Sequence, residues 1–100
     1  MLPASVRIFV ATQPQDMRRS FDRLALCARE VLGQDPQSGA LFVFVGRRAK
    51  RLKVLWWDRN GYCLLYKRLH GEVFHLPTGD GASVRIDAAA LAEVLAGAKK

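Results

Sequence analysis

The sequence predicts a single α+β domain: a mainly antiparallel sheet of about five to six strands, one long helix over residues 17–32 and a short C-terminal helix over 88–96. Three observations lead there. A chain of 100 residues, half hydrophobic and a quarter charged, has the size and composition of one globular unit. Apolar residues recur at the helical period in only two stretches. Short β-branched and aromatic runs, punctuated by Gly, Pro, Asn and Asp, fill most of the remainder.

In chain order, Val6-Arg7-Ile8-Phe9-Val10-Ala11 reads as a strand, broken by Thr12-Gln13-Pro14-Gln15. Asp16 is placed to cap a helix over 17–32, and Gly33 to stop it. Within that helix Met17, Phe21, Leu24, Ala25, Ala28, Val31 and Leu32 form one apolar stripe, with Arg18, Arg19, Asp22, Arg23, Arg29 and Glu30 opposite. Residues 34–39 are a turn cluster. The continuously apolar run 40–45 suits a strand covered on both faces. A basic turn over 46–50 leads into a strand over 51–58. Asn60-Gly61 signals a tight hairpin, and a return strand follows over 62–69. His70-Gly71-Glu72 turns into a strand over 73–76, which Pro77 ends. After the loop 78–81 come a short strand over 82–86 and Asp87, a cap for the helix Ala88–Ala96 with Leu91, Val94 and Leu95 inward and Gly97 at its end. The sequence contains no internal repeat or linker.

Charge is the unusual feature. Sixteen Lys and Arg against nine Asp and Glu give +7. The whole excess lies between Gly46 and His70, where Arg47, Arg48, Lys50, Arg51, Lys53, Arg59, Lys67 and Arg68 face Asp58 alone; the other 75 residues are neutral on balance. A field concentrated in one quarter of the chain points to a polyanionic partner. A solvated basic face that only keeps the protein soluble is the plainer reading.

Pairing across an Asn60-Gly61 turn sets Arg59 opposite Tyr62 and sorts the hairpin by face. One face collects Arg51, Lys53, Leu55, Trp57 and Arg59 with Tyr62, Leu64, Tyr66, Arg68 and His70. The other, with Leu52, Val54, Trp56 and Asp58 beside Cys63, Leu65, Lys67 and Leu69, is mostly a core face. Cations beside rings suit nucleic acid, because cations neutralise phosphates and rings stack on bases. The same residues also suit a second core layer under a helix, with Arg and Lys stems reaching out at its edge. Arg47, Arg48 and Lys50, in the turn, are exposed on either reading.

No catalytic constellation emerges. His70, His75 and Cys63 lack metal-ligand spacing. Asp16, Asp22, Asp58, Glu72 and Asp80 are scattered, several where caps and turns favour Asp. Ser20, Ser38 and Ser83 have no nucleophile-elbow context, and Thr78-Gly79-Asp80-Gly81 is no phosphate loop. Cys27 and Cys63 read as small buried hydrophobes. A non-enzymatic binder without metal or cofactor is therefore expected. Apolar runs are too short to span a membrane. The opening residues lack a basic, then apolar, leader pattern, so a cytoplasmic location is expected.

The block Leu41-Phe42-Val43-Phe44, Gly46-Arg47-Arg48, Arg51-Leu52-Lys53-Val54-Leu55-Trp56-Trp57-Asp58, Gly61, Leu64 and Tyr66-Lys67-Arg68-Leu69 resembles a known family. So do the opening strand, the segment Asp16-Met17-Arg18-Arg19-Ser20-Phe21-Asp22-Arg23-Leu24, the pairs Asp35-Pro36 and Ser38-Gly39, and the closing helix. The family is the TnpB accessory proteins encoded by the second reading frame of bacterial insertion sequences of the sixty-six family, distinct from the RNA-guided nucleases that share the TnpB name. The chain departs from it over 73–85, lacking a Trp near His75 and a basic residue after Pro77. The resemblance implies a small cytosolic protein that assists DNA transposition beside a separate transposase and a second accessory protein, without catalytic residues of its own. On the residue reading, Arg47, Arg48, Lys50, Arg51, Lys53, Trp57, Arg59, Tyr62, Tyr66 and Arg68 are the candidate contacts to DNA, for example at the element's ends. The alternatives are an adaptor that docks this basic and aromatic surface onto the transposase, and a binder of single-stranded nucleic acid or RNA.

Overall fold

The computed structural model describes residues 5–99; residues 1–4, on which the leader argument drew, lie outside them. Strands β1 (Ile8–Ala11), β2 (Leu41–Val45), β3 (Arg51–Asp58), β4 (Gly61–Arg68) and β6 (Ser83–Ile86) form one sheet in the order β4-β3-β2-β1-β6. Two-residue strands β5 (Glu72–Val73) and β7 (Ala98–Lys99) pair in a second, small sheet. Helix α1 (Phe21–Glu30) joins β1 to β2, which pair in parallel; every other pairing is antiparallel. The crossover requires this, since a helix between two neighbouring strands returns the chain to the end from which it started.

Alternation along the strands divides the core in two. On one face Phe9, Phe42, Phe44 and Leu55 pack against Leu24, Cys27, Ala28 and Leu32 from α1, with the Phe9 and Phe42 rings stacked at 5.8 Å. On the other, Ile8, Val10, Val43, Leu52 and Val54 lie beneath Phe74 and beneath Leu91 and Val94 of α2 (Ala88–Ala96). The two central strands β1 and β2 are buried at every position, which explains why 40–45 carries no polar residue.

Three expectations shift. The long helix begins at Phe21 instead of residue 17, because Asp16 accepts the Arg18 backbone N–H at 2.9 Å and the Arg19 N–H reaches the Asp16 carbonyl at 3.1 Å. Residues 16–19 thus form a separate turn. Extended Ser20 (φ −115°) breaks the path into α1. At the other end the Gln34 N–H returns to the Ala28 carbonyl at 3.0 Å, a wrap-around bond permitted by Gly33 at φ 68°. The expected strand over 73–76 is reduced to β5, and Phe74 dives into the second core layer, 3% exposed. The hairpin turn is Arg59-Asn60, with Asp58 opposite Gly61. The resulting register sets Leu55 against Leu64 and Trp57 against Tyr62, whose rings meet edge to face at 5.0 Å. These contacts outweigh the cost, about 1–3 kcal/mol, of holding Arg59 at φ 57°. The slip is two positions in the pairing, so the side-chain faces stay as expected.

Helix α2 follows the sequence reading closely. The Asp87 side chain accepts the Ala90 N–H at 2.8 Å. At its far end the Lys67 ammonium donates to the Leu95 carbonyl at 2.6 Å, placing a cation where the helix dipole favours one. Gly97 turns away at φ 74°, and a Cβ there would come within 2.6 Å of Leu69. Asp87→Ala should cost about 1 kcal/mol and lower the melting temperature by roughly 4–8 °C, measurable by thermal circular dichroism.

Candidate nucleic-acid interface

At the end of the sheet where β2 turns into β3, the chain runs Val45-Gly46-Arg47-Arg48-Ala49-Lys50-Arg51. The Gly46 N–H bonds to the Arg51 carbonyl at 3.0 Å and the Ala49 N–H to the Gly46 carbonyl at 2.9 Å, so the turn is held by its own backbone and its side chains project. The segment before α1 is pinned alongside, with the Gln15 N–H on the Val45 carbonyl at 2.9 Å. Met17 folds over Gly46, its Cγ only 2.8 Å from where a Cβ would stand. Between the two segments lies an open cleft of about 640 Å³, lined by Pro14, Gln15, Asp16, Met17, Arg18, Gly46, Arg47, Arg48, Lys50, Arg51 and Arg68.

Six of those residues are cations and one is a carboxylate. Asp16 is committed to Arg18, whose guanidinium approaches to 2.8 Å and holds the carboxyl well below the usual carboxylate range, helped by the Arg18 backbone N–H. Among the described residues, Arg47, Arg48, Lys50, Arg51 and Arg68 have no carboxylate within salt-bridge distance. Arg51 and Arg68 even sit directly opposite each other across β3 and β4. Like charges in that relation are destabilising, so the fold carries a small standing repulsion at this spot that an anion would relieve.

The ten residues singled out from the sequence separate. Arg47, Arg48, Lys50, Arg51 and Arg68 converge on the cleft. Tyr66, 51% exposed, neighbours Arg68 on the same face. Lys53 does not reach the surface as a free cation. It is 6% exposed, donates to the Arg19 carbonyl at 2.7 Å and lies under the Tyr66 ring, 4.7 Å from its centroid. Arg59 is exposed at the opposite end of the hairpin, about 20–25 Å away along the strands. Trp57 and Tyr62 are half-buried there, with Tyr62 packed beside the α1 core. Of the two readings of this face, the layer under a helix describes its Leu55, Leu64 and Tyr62 part, and the basic surface describes its Arg51 and Arg68 end.

Arg18 is the cleft residue that sequence reasoning missed, because a helix starting at residue 17 puts it on an outer face. No local signal marks it, because Asp16 ahead of Met17-Arg18 can cap a helix or close a turn. Elsewhere, burial pushes the Cys27 thiol up. Among the described residues no three His, Cys, Asp or Glu gather as a metal site, and no helix is long and apolar enough to cross a membrane.

Fold and cleft together define a small α+β domain with a focused patch of positive charge. The chain belongs to the family described as IS66 Orf2 like protein, which it matches over residues 6–100, a family of accessory proteins of insertion-sequence transposition. It is 44% identical over 99 residues to the uncharacterized protein y4hO of Sinorhizobium fredii, covering 97% of this chain and 86% of that protein. It is 41% identical over 78 residues to the uncharacterized protein y4jC of the same organism, covering 77% of this chain and 67% of that one. No solved structure matches.

The Asp16 carboxyl carbon, followed by NMR during acidification, should titrate below the ordinary aspartate midpoint of about 3.9. Because the folded state holds this group deprotonated, the pair's stabilisation is complete at neutral pH. It disappears only as pH falls through the depressed value.

Proposed function

We propose that the protein binds DNA through the cleft between the 14–18 segment and the β2–β3 turn, chiefly by phosphate contacts, and so serves transposition beside the transposase and a second accessory protein. The carrying observation is the convergence of Arg18, Arg47, Arg48, Lys50, Arg51 and Arg68 on one cleft whose single carboxylate is already paired. Guanidinium groups grip phosphate oxygens two at a time. The cleft's open form suits a backbone passing through it. Tyr66 is the ring best placed to stack beside that path, whereas Trp57 and Tyr62 are engaged with each other.

Fluorescence anisotropy with a labelled duplex at several salt concentrations tests this. Six phosphate contacts should make log K fall against log salt with a slope of about −5. Arg47→Ala combined with Arg48→Ala should weaken every duplex sequence alike and bring the slope to roughly −3.5, because phosphate contacts position without specifying sequence. Lys53→Met, at a buried position outside the cleft, should leave the slope unchanged. A flat salt response, or no binding at low salt, overturns the proposal. Co-purification with transposase that survives both nuclease and the double substitution would replace it with the adaptor reading.

Asp16→Asn keeps a side-chain acceptor for the Arg18 N–H but removes the cleft's negative charge. Binding in the same assay should tighten, with the slope still about −5 because the same six cations make the contacts.

A further inference from the structure

The five-stranded sheet ends in two unequal edges. On one side is β6, four residues long; on the other is β4, eight residues long, whose outer side pairs with nothing among the described residues. The Leu69 N–H donates to the Lys50 carbonyl at 2.8 Å. By antiparallel alternation, residues 67, 65, 63 and 61 then also bond to β3. The N–H and C=O groups of Tyr62, Leu64, Tyr66 and Arg68 therefore point outward. Proteins usually blunt an edge of this length with charge, proline or a bulge, yet residues 61–66 hold none of these and pair with β3 without interruption. Leu65 and Tyr66, 40% and 51% exposed, lie on this strand.

We propose that β4 pairs with β4 of a second copy of this chain, antiparallel, about a twofold axis at Leu65. This register matches outward-facing residues with one another, Tyr62 to Arg68 and Leu64 to Tyr66, and satisfies every unpaired backbone group from 62 to 68. Leu65 meets its twin at a non-hydrogen-bonded pair, where side chains approach most closely. Charge selects the arrangement. The two cations of β4 sit together at one end of the strand. A parallel pair would set Arg68 beside Arg68 and Lys67 beside Lys67. The antiparallel pair sets Arg68 beside Tyr62 and Lys67 beside Cys63, so no cation faces a cation. An axis at Leu64 instead would strand the outward groups of Arg68. The contact is isologous and closes at two copies.

A twofold axis normal to the sheet keeps the faces in common, so the clefts of both copies, on the α1 side, open on the same side of the joined sheet. Leu65 is on the opposite face, with Leu52 and Val54, and its substitution leaves the cleft intact.

Sedimentation equilibrium on the full chain should show a monomer–dimer equilibrium. Raising salt should shift it towards dimer, since each copy carries +7 and salt screens the repulsion. DNA binding has the opposite salt dependence, so the two proposals fail separately. Leu65→Lys should remain monomeric at concentrations where the wild type dimerises, with an unchanged circular dichroism spectrum and an unchanged DNA salt slope. Leu65→Cys should give a reducible covalent dimer on mild oxidation, since facing Cα atoms about 4.5 Å apart permit a disulfide. Wild-type Cys63, placed by Lys67 instead of its twin, should not. A monomer at every concentration and salt overturns the inference and leaves the edge to a strand from another protein. A dimer indifferent to Leu65→Lys, or an absent cross-link, overturns it by placing the interface elsewhere.

Discussion

The constraint behind the whole arrangement is that β1 and β2 are buried on both sides. A strand without a solvent face must have a layer above and a layer below, and 100 residues supply just enough chain for that: α1 on one side, α2 with the Phe74 segment on the other. Once both faces are covered, charge has only the strand ends and the sheet edges to occupy. The basic cleft is therefore at the end of the sheet, where β2 turns into β3, and draws on the pre-helix segment because that segment starts from the same end.

Lys53 and Lys67 show how the cations that cannot reach that end are used. Buried Lys53 and half-buried Lys67 each set the ammonium on a backbone carbonyl, of Arg19 and Leu95 respectively. A buried ammonium needs such a partner, since leaving it unpaired would cost far more than the bond returns. Lys53 thereby ties β3 to the residue before the α1 cap, and Lys67 ties β4 to the end of α2. Two members of the basic hairpin thus fasten the outer layers to the sheet, and among the described residues the hairpin's other cations have no carboxylate partner. Counting charges along the hairpin overstates the surface field by these two residues and by distant Arg59. It understates the field at the cleft by Arg18.

Legibility followed the range of the forces involved. β2, β3, β6 and α2 were readable within a residue or so, since their patterns and caps are local: Asp87 and Gly97 bracket α2 as their chemistry requires. The face division of the hairpin was readable because it depends only on parity, which survived the change of turn. The turn itself was not readable, because Asn60-Gly61 is a strong local preference and the pairing of Leu55 with Leu64 and Trp57 with Tyr62 is a tertiary one. The start of α1 was lost for a similar reason. Asp16 can cap a helix or close a turn, and only the neighbouring strand, which takes the Gln15 N–H on Val45, decides between them. Five of the ten candidate residues reached the cleft, and those were residues in the turn or at strand ends, where burial does not compete for the side chain.

The cleft and the β4 edge make opposite demands on the same hairpin. Phosphate binding wants cations close together and unpaired; strand pairing between identical chains wants them apart. The sequence Gly61-Tyr62-Cys63-Leu64-Leu65-Tyr66-Lys67-Arg68 meets both, because its charge is confined to one end. Within a copy that end adjoins Arg51 and the basic turn, concentrating the field. Across an antiparallel pair it faces the neutral end of the partner strand, and the repulsion is diluted by the length of the strand. An even distribution of the same two cations along β4 would weaken the cleft and block the edge together. Their segregation is the feature that makes one hairpin suitable for both contacts.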